Sequence, residues 1–367
     1  MREGPGTRLA ERQWPANSGI ATATCNAGRS SVHVRSHIGL ARHLISGSIR
    51  TYSFVVGFAD LSSAQARELE QTADERFAMT KAVAYREHQI ARTQGNVYAR
   101  DYGGAGPAFV LMHGFPDNLG IYDALVPELV ASGRRVVTFD FLGFGRSAKP
   151  ANGIYTFENQ LGDLDAVVSQ LDLGKFVPVA HDSSGPTAIN YALAHPDLIA
   201  ELMILNSGYD DNFPILWPEM VTLFASESLA ALAGSFAQSP EQLGWLLGWQ
   251  KSRFSDPQPA EQRDRFNQGV GQLIADNFTQ QPSSGPAFMQ LASHFFAELA
   301  RNTKRLPELK RLDVPVKVIW GEFDPYMTTQ VGRNRASHFK HASFHPIQAG
   351  HWLQADAPAL VAKEMLA

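Results

Sequence analysis

At 367 residues the chain has room for one large α/β domain with an insertion, or for two smaller domains. Apolar residues make up 44% and charged residues 19%, enough for a sizeable core, and the net charge of −4 gives no electrostatic basis for holding nucleic acid or an anionic membrane surface. The single cysteine, Cys25, makes no internal disulfide and sets a reducing, cytoplasmic compartment as the default; neither a zinc-type Cys/His spacing nor an HExxH motif accompanies the 12 histidines, and no apolar run reaches membrane-spanning length.

The N-terminal part, residues 1–78, reads as a poorly structured extension, rich at first in Arg, Ser, Gly and Ala with no sustained period. Within it, RTYSFVVGFADLSSAQA from Arg50 faintly resembles a signal core, but it lies too far in and Asp60 interrupts it. Met79 reads as an alternative start, because ordered-looking sequence begins just after it. YREHQIART and NVYARDYG, joined at Gln94-Gly95, predict an antiparallel hairpin. PAFVLMHG is an apolar run too short for a helix and predicts a buried strand. NLGIYDALVPELVASG has helical spacing and stops at Gly133; RRVVTFDFLG is the next strand. TFENQLGDLDAVVSQLDLG predicts a helix on a Thr cap, KFVPVAHDSSGPTAINYALAHP a strand, tight turn and helix, and LIAELMILNSG another buried strand. This alternation from Arg134 to Gly208 implies a parallel sheet with right-handed crossovers. It stops near Tyr209, and residues 210–309 carry apolar helical segments broken by Pro and Gly, with no convincing strand. VPVKVIWGEFD then restores the strand pattern, TTQVGRNRASHF is helical, ASFHPIQAG is a last strand and WLQADAPALVAKEML a closing helix. The expected organisation is an α/β core over residues 79–209 and 310–367, interrupted by a helical insertion over 210–309.

In doubly wound sheets, ligands sit outside the carboxyl ends of the strands. The residues just past the predicted strands are His113, Asp140, Asp182, Asn206 with Tyr209, Asp324 and His351. An acid at a tight turn, a second acid and a late histidine form a set in the order nucleophile, acid, base. At the turn itself, His181-Asp182-Ser183-Ser184-Gly185, two serines and an acid compete for one role. Gly143 and Gly145 in GFG do not continue into G-x-x-G, so they make no dinucleotide fingerprint, and no cofactor is called for.

Four motifs, HGFPDN at His113, FDFLGFGRSAKP at Phe139, VAHDSSGP at Val179 and GEFDP with AGHW ending at Trp352, make the chain resemble the α/β-hydrolase superfamily. The resemblance implies that fold, with a mostly parallel central sheet, helices on both faces and the insertion as a helical cap. The family's elbow places small residues on both sides of the nucleophile. Ala180-His181-Asp182-Ser183-Ser184 fits it with Asp182 at the centre. Centring on Ser183 puts bulky His181 where a small residue is needed, and centring on Ser184 puts Asp182 there. The His-Asp pair resembles the aspartate-using branch, the epoxide hydrolases and haloalkane dehalogenases.

The resemblance implies that Asp182 attacks an sp3 carbon to leave an alkyl ester, that His351 activates the water that hydrolyses it, and that Asp324 orients His351. Backbone N–H groups of Phe115 and Ser183 would form the oxyanion hole. Asp210 or Asp211 is a substitute for the second acid; Asp140 is structural, His113 braces the oxyanion loop and His181 packs beside the elbow. Epoxide hydrolases of the family use two cap tyrosines, and residues 211–325 hold none; Tyr209 and Tyr326 lie at the margins. The dehalogenases place a Trp after the nucleophile and a second donor after His-Gly, where this chain has Ser183 and Phe115. The arginine pair of a haloacid site is absent near the elbow. Trp217, Trp245 and Trp249 of the cap, and the Asn118 side chain, are the substitute leaving-group donors and candidate pocket residues. Pro178 in a central strand is a further departure. The expectation is a hydrolase acting on a small apolar molecule, haloalkane dehalogenase-like. The alternatives are an epoxide hydrolase, a serine esterase using Ser183, and a non-catalytic ligand-binding protein on the hydrolase fold.

Overall fold

The apolar run ending at Met112 becomes one of the two innermost strands of an eight-stranded sheet in the computed structural model, which describes residues 83–367. The expectations for the extension, for a start at Met79 and for Cys25 lie outside the described residues. The strands are β1 (Arg86–Ile90), β2 (Val97–Asp101), β3 (Ala105–Met112), β4 (Arg134–Phe139), β5 (Phe176–Asp182), β6 (Leu202–Ser207), β7 (Val316–Gly321) and β8 (Ala342–Ile347). Their order across the sheet is β1-β2-β4-β3-β5-β6-β7-β8. The predicted hairpin is β1 with β2, β2 joins β4 antiparallel, and all later pairings are parallel. A parallel strand covered on both faces reads as a continuous apolar run rather than an alternation. β6 is such a strand, buried at every position, whereas the edge strand β8 is mostly half-exposed and accommodates Pro346. Pro178 sits where β5 pairs with Val110 of β3, one residue before the β6 ladder begins at Val179.

Two predicted helices are interrupted. The first divides into a 3-10 turn, Leu119–Tyr122, and a helix, Val126–Ala131. Asn118 caps the turn by accepting from the Gly120 N–H (2.9 Å), and Pro127 lies in the first turn of the helix, where a missing N–H costs nothing. The closing helix breaks at Ala357-Pro358 into Leu353–Asp356 and Pro358–Leu366, because the residue before proline is pushed out of the α region. The helix Phe157–Gln170 starts as expected, with Thr156 Oγ1 accepting from the Asn159 N–H (3.2 Å). Between β6 and β7 the described residues form helices and no strand, from Glu219–Ala225 to Leu306–Leu309. No single described helix is long and apolar enough to cross a membrane.

Candidate active site

β5 runs straight into the elbow. Asp182, its last residue, has φ 53, in the left-handed region a non-glycine residue enters only when its surroundings impose it. The β5–β6 register shifts between His181 and Asp182, and the helix Gly185–Ala194 begins three residues later. The Asp182 carbonyl is held from behind, accepting from Ser207 Oγ (2.5 Å) and the Gly208 N–H (3.1 Å). Glycine is required on two sides. A Cβ on Gly114 would overlap Asp182 Cβ and Oδ2, and one on Gly185 would overlap the Gly208 carbonyl and Ser207 Oγ. Asn206, ending the neighbouring strand β6, is also left-handed, with φ 32.

The structure brings Asp182, His351 and Asp324 together. The Phe115 N–H donates to Asp182 Oδ2 (3.0 Å), and His351 Nε2 lies 3.5 Å from Asp182 Oδ1. His351 Nδ1 is 2.6 Å from Asp324 Oδ2, and His351 is buried. Asp324 also accepts from Asn206 Nδ2 (2.8 Å) and from the Tyr326 and Met327 N–H groups (2.9 and 3.0 Å). Burial opposes the charge on Asp324, but His351 and these donors outweigh it and hold the carboxyl below its ordinary value. Burial likewise opposes the imidazolium of His351; the Asp324 charge, with hydrogen bonds that His351 donates to Asp182 and Asp324, overcomes it and lifts His351 to about 10.

The two serines differ. Ser184 Oγ shares its one proton between the carbonyls of His181 (2.7 Å) and Met112 (3.1 Å) and accepts from the His181 N–H (2.9 Å), so its hydroxyl is committed to the turn. Ser183 Oγ is buried with no hydrogen-bond partner among the described residues, and so has no base beside it. Ser183 itself follows Asp182 directly in the chain. His181 donates from Nε2 to the His351 carbonyl (3.0 Å); burial and then the His351 charge push it down to about 4, so it stays neutral. His113 accepts from the Phe141 N–H at Nε2 (3.0 Å) and lies 2.6 Å from the Gly114 carbonyl at Nδ1. It therefore ties the loop carrying Phe115 to the loop after β4. Asp140 accepts from the Leu119 and Arg146 N–H groups (2.8 and 2.7 Å), a structural role as expected.

Several expectations are corrected. Asp210 is ion-paired to the buried Arg335 and Asp211 binds Thr303 Oγ1, so neither reaches His351. Tyr209 turns its hydroxyl to Asn190 Oδ1 (3.0 Å). A cavity roofed by the insertion is lined by Asp182, His351, Phe115, Trp217, Phe254 and Tyr326, among other mostly apolar residues. Of the four expected pocket residues only Trp217 lines it. Trp245 is 64% exposed, on the outside of the helix Pro240–Ser255, and Trp249 stacks under Arg253, 6.0 Å from its ring centre, away from the cavity. Asn118 spends its amide on Gly120 and on Asn277 Oδ1 (3.0 Å). The reason is helical phase: within one helix the face that meets the cavity carries Leu247, Gln250, Lys251 and Phe254 instead.

Residues that the sequence reading missed also shape the site. Asp117 receives the Trp352 Nε1–H (2.6 Å) and lies 3.4 Å from His113 Nδ1, joining the loop that carries Phe115 to the residue after His351. Gln250 and Glu219 both bind the Tyr326 hydroxyl, Gln250 at 2.6 Å and Glu219 at 2.5 Å. The Asp117 signal was present in the HGFPDN motif; Gln250 and Glu219 carry none, because only the packing of the insertion places them.

Comparison with known proteins agrees with this architecture. Residues 107–358 match the family model of the alpha/beta hydrolase fold. A fluoroacetate dehalogenase from Burkholderia sp is 37% identical over 28% of this chain, a segment spanning only 35% of that protein's own length. Epoxide hydrolase 3 of Xenopus tropicalis is 27% identical over 70% of each chain. Among solved structures, the epoxide hydrolase CorEH superposes with TM-score 0.61 at 19% identity, covering 77% of this chain and 97% of that one. An esterase from Thermogutta terrifontis superposes with TM-score 0.60 at 21% identity, covering 77% and 97%. With the elbow, the eight-stranded sheet and the family match in place, the chain belongs to the α/β-hydrolase fold family, and among its members it is similar to a dehalogenase and to epoxide hydrolases.

Proposed function

We propose that the protein hydrolyses a small apolar electrophile through an alkyl ester on Asp182. One observation carries the reading: Asp182 is the side chain at the elbow that both meets the oxyanion-loop N–H of Phe115 and faces the His351–Asp324 pair. An ionised carboxylate needs no base to attack an sp3 carbon. When Asp182 becomes an ester it loses its charge, so His351 loses one of the groups that hold it protonated and turns into the base for water. The Phe115 N–H, with that of Ser183, then receives the oxyanion of the tetrahedral intermediate. The apolar cavity walls exclude water and select an uncharged or weakly polar substrate.

Carbon–halogen cleavage is supported by Trp217, whose indole lines the cavity. A second reading, opening of a strained cyclic ether, is supported by Tyr326, the one hydroxyl among the lining residues. The test common to both is His351→Gln, incubated with a panel of small bromoalkanes and epoxides and digested for mass spectrometry. The reading expects an alkyl adduct on the Asp182 peptide that persists because its hydrolysis is blocked. Ester turnover that survives Asp182→Asn and disappears in Ser183→Ala would instead support a serine esterase.

A further inference from the structure

One helix of the insertion touches both the cavity and the loop that carries Phe115. The helix Val270–Thr279 turns Ile274 into the cavity wall. Its neighbour Leu273 packs on the 3-10 turn Leu119–Tyr122 so closely that a Cβ on Gly120 would lie 2.6 Å from Leu273 Cδ1. About one helical turn later on the same face, Asn277 is buried against this loop. Its amide is oriented by a chain of bonds that starts at the backbone. The Gly120 N–H fixes Asn118 Oδ1 as an acceptor (2.9 Å), which leaves Asn118 Nδ2 to donate to Asn277 Oδ1 (3.0 Å). Asn277 Nδ2 is then the donor to the Pro116 carbonyl (2.9 Å). Pro116 has no N–H, so that carbonyl is the one main-chain hydrogen-bonding group it can offer. The Asn277 main-chain carbonyl accepts from the Ser284 N–H (2.8 Å), just ahead of the helix Gly285–Ser293. Phe288 of that helix lines the cavity and meets the Phe115 ring edge-on at 5.5 Å. Asn277 therefore stands where two walls of the cavity and the Phe115–Asn118 loop converge.

We propose that Asn277 is a positioning residue of the site: from the insertion, and through the Pro116 carbonyl, it sets the Phe115 N–H for the ester-hydrolysis step. The inference rests on the Asp182 ester reading. Asp182 Oδ2, which takes the Phe115 N–H (3.0 Å), becomes the ester carbonyl, while Oδ1 forms the bond to the substrate carbon. As that bond forms, the leaving group takes the electron pair of the bond that breaks and the carboxylate loses its charge. The bond from the Phe115 N–H weakens along this step, so a misplaced donor costs it little. In hydrolysis the water oxygen bonds to the ester carbonyl carbon, the water proton passes to His351, and the C=O electron pair moves onto Oδ2. Charge then grows on the oxygen that the Phe115 N–H meets, and alignment matters most there. The pair returns as Oδ1 leaves with the product, protonated by His351. Ile274 and Phe288 meet a bound molecule directly, so the seat of the insertion on its substrate reaches the donor through Asn277.

The two steps are read separately in the full-length protein with epibromohydrin, which offers Asp182 both a carbon–bromine bond and a ring carbon. Rapid quench and mass spectrometry of the Asp182 peptide follow the rise of the adduct and its decay. Asn277→Leu removes both side-chain bonds without adding charge. Asn277→Asp keeps the acceptor for Asn118 and turns an oxygen toward the Pro116 carbonyl. In both variants the adduct is expected to rise nearly as in the wild type and to decay about tenfold more slowly, a smaller loss than that of deleting an oxyanion donor outright. The Phe115 amide proton, followed by NMR, is expected to move upfield as its bond to Asp182 loosens, a signature that a merely stabilising contact does not give. Gln272→Ala, which removes an exposed partner of Asp276 on the same helix, is the control and should change neither reading. Equal slowing of both steps, an unslowed decay in the folded variants, or an unmoved Phe115 resonance would overturn the role and leave Asp182 as nucleophile. If the same probe leaves no adduct on Asp182 in His351→Gln, with Asn277 intact, the ester reading falls and the role with it.

Discussion

At the scale of single residues, the site depends on charge balance inside a buried pair. His351 reaches about 10 although burial opposes it, because two carboxylates face it. Removing one of them should show: in Asp182→Asn the His351 imidazole, followed by NMR titration, is expected to titrate at lower pH than in the wild type. An unchanged midpoint would mean that Asp182 does not face the base in solution. The serines give a second contrast. Ser184→Ala leaves the buried His181 N–H without its acceptor and should cost about 1–3 kcal/mol in denaturant unfolding. Ser183→Ala removes a hydroxyl that bonds to nothing described, so stability and turnover should both hold. Loss of turnover in Ser183→Ala with an intact fold would reopen the esterase reading.

At the scale of elements, the elbow works because strand and helix approach too closely for side chains. Gly114→Ala places a Cβ against Asp182, and the resulting displacement should lower kcat/KM by about a hundredfold without altering the far-ultraviolet spectrum. Gly244→Ala, which meets nothing in the insertion, should be silent and serves as the control. This scale also shows what was legible beforehand. The strands were readable from apolar runs bounded by turns, and Asp182, Asp324 and His351 stood out as candidates because each lies at or just past the end of a strand. The breaks at Asn118–Val126 and at Pro358 were missed because helical spacing continues across them while local capping and proline geometry interrupt the backbone. The pocket wall was least legible. Trp217, Trp245 and Trp249 look alike in sequence, and only tertiary packing turns one inward and leaves another exposed. Tyr326 was noted at the cap margin, but its partners Gln250 and Glu219 come from distant positions brought together by the fold.

At the scale of the whole molecule, the buried triad couples stability to pH. His351 is raised from 6.5 to about 10, so its contribution is fully present below about 6.5 and is lost as pH rises through about 10. Asp324 is lowered, so its contribution is present above the ordinary carboxylate value and is lost as pH falls below it. Thermal unfolding from neutral to pH 10 should therefore narrow the gap in Tm between wild type and His351→Gln, whereas a constant gap would contradict the coupling. The central claim, a covalent ester on Asp182, is tested most directly by a single turnover with excess enzyme in oxygen-18 water, once a substrate is in hand. Hydrolysis of the ester carbonyl puts the label into the Asp182 carboxylate and leaves the first product unlabelled. Label in the product with none in the Asp182 peptide would mean that water attacks the substrate directly, and the account of the site would fail.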